Sequence, residues 1–232
     1  MQAISLLNLL WLMIPIIIVF TIYMRWAEDT RTLPLALSRM LLQLIMIGYV
    51  LTYIFQATSF YLIVLVLSVM LIAASIISLR PLVKKGSSLY KKAFIAIFVG
   101  SSFTLFIIMI AILEVDVWYE PKLLIPLAGM TFSASMNAIS IAAERFESEM
   151  LRKNNYTLAR NIAYKAALIP VINALFAVGL VSLPGMMSGQ ILAGVDPMIA
   201  VRYQIMVMLM LLSAAGLSTM VYLLLIKTNM LK

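Results

Sequence analysis

Ser133, Asn137, Ser140 and Glu144 recur at i, i+4, i+7 and i+11 in a largely apolar run, a spacing that puts all four on one helical face. Such a face either lines a polar path or hydrogen-bonds one helix to another. Gln43 and Asn173 are amides in other apolar runs that can converge with it. Arg39, one turn before Gln43, can instead reach back to the headgroups. The stretch SLPGMMSGQ at 182–190 is the most irregular in the chain. Pro184 withholds a backbone donor, and Gly185 and Gly189 permit bent or closely packed backbone, so carbonyls can be freed toward a ligand where protein shields them from lipid. The segment is a candidate gate or binding element. Met186 and Met187 add thioethers, which suit soft metals, although adaptable core filling accounts for most of the 18 methionines. The path candidates are therefore Gln43, Ser133, Asn137, Ser140, Asn173, Met186 and Met187.

Other chemistries lack their residues. The chain has no cysteine and no histidine, which removes disulfides, thiolate and imidazole metal ligation and Cys/His catalysis together. A charge at mid-bilayer costs about 3 kcal/mol on insertion scales, so ion-coupled carriers reveal themselves by intramembrane acids. Every Asp and Glu here falls in a connection or at the edge of an apolar run. That disfavours a proton-coupled carrier, although broken helices can bind sodium through carbonyls alone. No Gly-x-x-x-x-Gly-Lys-Ser/Thr phosphate loop occurs either, and Lys85-Gly86-Ser87-Ser88 lacks its spacing. Active transport would need a motor on another polypeptide, and no cofactor is expected in this chain.

The elements that carry these residues follow from composition. Of 232 residues 64% are hydrophobic and 11% charged, against about a quarter charged in soluble domains. Long apolar runs without alternation predict helices, because lipid cannot satisfy an open backbone. The expected fold is all-α: one membrane domain over 1–232, with seven spans near 4–24, 35–56, 60–79, 93–113, 123–142, 167–194 and 202–226. Prolines and glycines break the sixth. The run from Ala3 to Met24 is too long for a removable signal and is expected to stay as a span.

Of the 17 basic residues, all but Lys122, Arg202 and the boundary residue Arg39 fall in connections one, three and five or near the C-terminus. Short basic connections stay cytoplasmic, so the N-terminus is outside and the C-terminus inside. The net charge of +8 then reports topology and contact with membrane lipid, not nucleic acid. The longest cytoplasmic connection, 143–166, predicts two helices. Glu149 and Lys153 form an i,i+4 pair, Asn154-Asn155 turns the chain, and Leu158 and Ile162 begin a second apolar stripe. It either presents a docking helix or only reconnects two spans.

SRMLLQLIMIGYVLTYIF at 38–55, PLAGMTFSASMNAIS at 126–140 and the run from Lys165 to Ser218, with LVSLPGMMSGQILAGVDP and RYQIMV inside it, resemble the FetB family of ABC transporter permeases, which has plant relatives in aluminium tolerance. The resemblance covers most of the chain beyond the first span. It implies a permease homodimer in the bacterial cytoplasmic membrane, paired with a separate FetA-like ATPase that holds ATP and Mg, and export of iron or a related metal. It departs at NNYTLARNIAYKAALIP, shorter than the corresponding connection in enterobacterial members. The expected coupling residues are Glu144, Arg145, Leu158, Arg160 and Ile162. With no His or Cys, a metal path would use only amides, hydroxyls, carbonyls, carboxylates or thioethers. Two alternatives stand beside this reading: an ion-coupled carrier or passive channel, and a non-transporting membrane sensor or assembly protein.

Overall fold

The computed structural model describes residues 5–27, 29–54, 60–83, 86–115, 117 and 119–230. The ends of the first two expected spans, and Lys84, Lys85, Asp116 and Lys232 of the charge pattern, lie outside them. The described elements are helices: α1 Leu6–Leu9, a 3-10 turn Leu10–Leu12, α2 Met13–Trp26, α3 Thr32–Ile54, α4 Phe60–Ser78, α5 Ser87–Ile107, α6 Pro121–Leu151, α7 Tyr156–Ala177, α8 Gly185–Leu192 and α9 Pro197–Met230. A π-helical turn, Ile108–Ile112, prolongs α5. Among the described residues the only β pairing is an isolated bridge between Val178 and Ser182.

The chain divides into two units, Met1–Gln56 and Ala57–Lys232. The first holds α2 and α3, and no residue of α2 is buried. Between these helices Asp29 organises the turn, its Oδ1 accepting from the Arg31 and Thr32 amides at 2.9 and 3.0 Å. These bonds hold the exposed carboxyl down to about 2.

The second unit is a bundle of α4, α5, α6, α7 and α9 whose interior is lined by small residues. On α5 the buried positions are Ala93, Ala96, Ile97, Gly100, Ser101, Thr104 and Leu105, one stripe at helical spacing. In lipid no hydrophobic gain drives helices together, so close backbone approach and interhelical hydrogen bonds do that work. Gly100 shows why: a Cβ there would overlap the side chain and backbone of Ser218 on α9. A second contact is made of alanines. Ala138 and Ala142 of α6, Ala167 of α7 and Ala215 of α9 form one buried cluster, and Ala159 and Ala163 join Phe146 and Leu223 in the next.

Among the described residues six helices have the length and apolarity to cross a membrane: Leu7–Trp26, Thr32–Val50, Phe60–Ser78, Ser87–Ile112, Pro121–Leu151 and Pro197–Lys227. Helix α7 packs beside α9, the last of these. The Tyr156 hydroxyl at its start donates to Leu223 O near the end of α9 at 2.8 Å, while Leu175 and Val178 at its end share a cavity with Val201 and Ile205 near the start of α9. The two helices are antiparallel along their lengths, and 22 residues at about 1.5 Å each exceed the hydrocarbon thickness.

The helix over the sixth expected span is α7, which begins at Tyr156, where the Asn155 side chain accepts from Leu158 N at 2.8 Å. The remainder, 178–194, is a turn and the short α8. The fifth span is longer than expected as well. Helix α6 has 31 residues, about 46 Å at helical rise, so its last turns stand beyond the bilayer.

Candidate functional site

The outer face of α6 is as its periodicity predicts. Ser133, Asn137 and Glu144 are exposed and Ser140 is half-buried, while Thr131, Phe132, Ser135, Ala138, Ile139 and Ala142 are buried. Asn173 is exposed on α7, beyond the Ala167 contact with α6. Among the described residues no hydrogen bond joins Ser133, Asn137, Ser140, Glu144 or Asn173 to another helix. An amide facing hydrocarbon lacks a partner, so this face is suited to be covered by protein or water. Gln43 is exposed on α3 of the first unit.

The polar junction that does bind helices lies on the opposite, buried side and was not singled out from the sequence. Ser101 of α5, Ser135 of α6 and Ser218 of α9 are fully buried. The Ser101 and Ser135 hydroxyl oxygens are 3.0 Å apart, Ser218 donates to Ser135 Oγ at 2.9 Å, and Ser135 donates to Ala214 O at 3.1 Å. Three helices share one chain of hydroxyls at the Gly100 approach. A sequence signal existed in the small-residue run Gly100-Ser101 beside Thr104.

The segment 182–190 is not opened for a ligand. Gly179, at φ +83, turns the chain after α7, and its N–H donates to Ser182 O at 3.0 Å. Pro184 caps α8 and its carbonyl accepts from Ser188 N at 3.0 Å. After Pro184 the chain regains helix as α8. Gly185 and Gly189 face open space rather than a close neighbour. Met186 is exposed, and Met187 lines an apolar cavity of about 320 Å³ with Met208 and Gln204. Gln204 is buried and its Oε1 has no hydrogen-bond partner.

At the cytoplasmic end α6 and α7 meet in a braced elbow. Glu149, buried among its neighbours, pairs with Arg145 Nη2 at 2.7 Å and Arg152 Nη1 at 3.7 Å, and its Oε2 accepts from Asn154 Nδ2 at 2.6 Å. The expected Glu149–Lys153 pair does not form, because α6 ends at Leu151 and Lys153 turns at φ +61. Tyr156 packs edge-on against Phe146 at 5.9 Å, and burial pushes its phenol up. The Val83 amide donates to Glu147 Oε2 at 3.3 Å, tying the α4–α5 connection to α6. Of the expected coupling residues, Glu144 and Leu158 are exposed and Arg145, Arg160 and Ile162 are partly so. Together they line the surface of this elbow.

Antiparallel helices with a basic cytoplasmic side, an uncovered polar face and a braced elbow define a multi-pass α-helical membrane protein. Its sequence matches the family described as "Uncharacterised protein family (UPF0014)" over residues 6–160 and 153–231, two segments that meet at the elbow, and the chain belongs to that family. It is 38% identical over 202 residues, 80% of this chain and 76% of the relative, to the Escherichia coli protein named "Probable iron export permease protein FetB". It is 34% identical over 197 residues, 78% of this chain and 76% of the relative, to the UPF0014 membrane protein slr1647 of Synechocystis. It is 30% identical over 202 residues, 79% of this chain and 71% of the relative, to Protein ALUMINUM SENSITIVE 3 of Arabidopsis thaliana. No solved structure matches.

Proposed function

We propose that this chain is the membrane-spanning permease subunit of an ABC transporter that exports iron or a related metal species, driven by a separate cytoplasmic ATPase. The observation that carries the reading is the continuity of α6. One 31-residue helix bears the uncovered polar face at Ser133, Asn137 and Ser140 and, at its cytoplasmic end, the elbow with Arg145 and Glu149. A displacement at the elbow reaches the polar face through a rigid rod, without a joint to absorb it. The name of the Escherichia coli relative supplies the cargo class, and a sequence with no phosphate-binding loop of its own suits a motor on a separate polypeptide.

In this reading Ser133, Asn137 and Ser140 line the path with Asn173, the other path candidates being Gln43, Met186 and Met187, and a second copy of the chain covers the exposed face. Among the described residues no cluster of three or more acidic side chains could hold a metal ion. The path therefore offers neutral oxygen donors, which favour passage of a weakly held ion or a chelate over tight binding. Glu144, Leu158 and Ile162 form the docking surface for the ATPase.

The test is metal flux in proteoliposomes containing this chain and its partner ATPase. Metal movement is expected to require ATP. Asn137→Ala should lower flux with ATP hydrolysis retained, and Leu158→Asp should separate hydrolysis from flux. Equal metal movement in vesicles lacking the ATPase would overturn the proposal in favour of a channel or carrier.

A further inference from the structure

The cytoplasmic ends of α7 and α9 enclose a groove of about 530 Å³ lined by Arg160, Asn161, Tyr164, Met220, Leu223 and Leu224. Its two halves differ in kind. Arg160, Asn161 and Tyr164 share one face of α7 at i, i+1 and i+4, and supply the polar wall. Met220 and Leu224 of α9 are 44% and 49% exposed and supply an apolar floor, with Lys227 one turn further on the same face.

The cations at the mouth lack anionic partners. Arg160 Nε and Nη2 donate to Asn161 Oδ1 at 3.1 and 2.9 Å, which fixes the guanidinium and leaves its other N–H groups unused. The Arg160 guanidinium carbon lies 5.9 Å and Lys227 Nζ 5.5 Å from the centre of the same Tyr156 ring. Among the described residues neither forms a salt bridge. Both cations thus lie beside the Tyr156 ring, Arg160 in the groove wall and Lys227 next to it, with charge open to an anion.

We infer that this groove is a binding site for one anionic phospholipid, its phosphate between Arg160 and Lys227 and an acyl chain along Met220 and Leu224. Depth selects a lipid over an acidic protein segment. The apolar part of α9 ends at Lys227, so the cations stand at headgroup level and the floor lies one to two turns deeper, in hydrocarbon. A peptide carboxylate would satisfy the cations and leave the floor uncovered. Basic pockets between helices on the cytoplasmic side have the chemistry that holds such headgroups.

The full chain, reconstituted in bilayers of equal dioleoylphosphatidylglycerol and dioleoylphosphatidylcholine and then extracted in mild detergent, is examined by native mass spectrometry for retained lipid. Wild type should retain phosphatidylglycerol in preference. Removing each cation should reduce that preference about fivefold, so R160Q/K227Q should abolish most of it. R160K/K227R, which keeps both charges, should preserve it. R25Q/R80Q removes as much charge from the same side of the membrane and should leave the preference intact. Three results would overturn the proposal: no preference in wild type, equal loss in R25Q/R80Q, or displacement of the lipid by tail-free glycerophosphoglycerol as effectively as by phosphatidylglycerol. The last would make the groove a site for soluble anions.

Discussion

The Ser218 hydroxyl donates to Ser135 Oγ at 2.9 Å, and Ser135 passes its own proton to Ala214 O at 3.1 Å. Since Ser101 adds a third hydroxyl at 3.0 Å, Ser135 is the hub on which α5, α6 and α9 converge. Ser135→Ala removes the acceptor for two buried hydroxyls. A loss of about 1–2 kcal/mol is expected from interhelical hydrogen bonds of this kind, read as a lowered melting temperature in detergent. Ser133→Ala, two residues away on the exposed face, should leave melting unchanged.

Gly100 tests the same junction by volume. The Cβ of Gly100→Ala would meet Ser218 backbone as well as its side chain, so trimming Ser218 cannot make room for it. Gly100→Ala should lower folded yield sharply, and Gly100→Ala with Ser218→Gly should recover little of it. Fluorescence-detected size exclusion distinguishes these outcomes, with Gly189→Ala, which faces open space, as the comparison.

The outer face of α6 and the existence of long helices were legible in the sequence because both are periodic within one segment. The serine junction was not, since Ser101, Ser135 and Ser218 are far apart in the chain and each sits among other small residues. Which ones meet depends on how three helices cross. Glu149 shows a subtler limit. Its spacing allows a partner one turn before or after, and only the end of α6 at Leu151 decides for Arg145 over Lys153. The start of α7 was hidden by its polar first turns, which read as a connection although Asn155 caps them into helix.

Glu149 braces the elbow with charge. Glu149→Ala leaves the Asn154 side chain without its acceptor and Arg145 and Arg152 without a counter-charge. Loosening by about 1–3 kcal/mol is expected. Trypsin cleavage after Arg152 or Lys153 should accelerate while overall melting changes little, because the elbow lies outside the bundle interior. Glu144→Ala, whose carboxylate makes no ion pair among the described residues, should leave cleavage at its wild-type rate.

Asp29 confers a pH dependence on the turn before α3. Its carboxyl falls from 3.8 to about 2 through bonds from Thr32 and Arg31. A depressed acid contributes stability that is present above its unfolded value and lost as pH falls through the folded one. Protection of the Arg31 and Thr32 amides, taken relative to the intrinsic exchange rate at each pH, should therefore be kept at neutral pH and lost between 3.8 and about 2. Asp29→Ala should exchange quickly throughout, and Asp29→Asn, which retains an acceptor, should be slow without the acid transition.

The alanines between α6, α7 and α9 bear on how such a bundle moves. Ala138, Ala142, Ala163, Ala167 and Ala215 present methyl groups only, and a methyl has no rotamer to change when its neighbour shifts. The serine junction fixes α5, α6 and α9 to one another, whereas α7 rides on a smooth surface and is tied mainly at its ends. A bundle built this way has a stator and a slide, and the low-friction track runs the length of the helix that joins the elbow to the outer turn at Gly179.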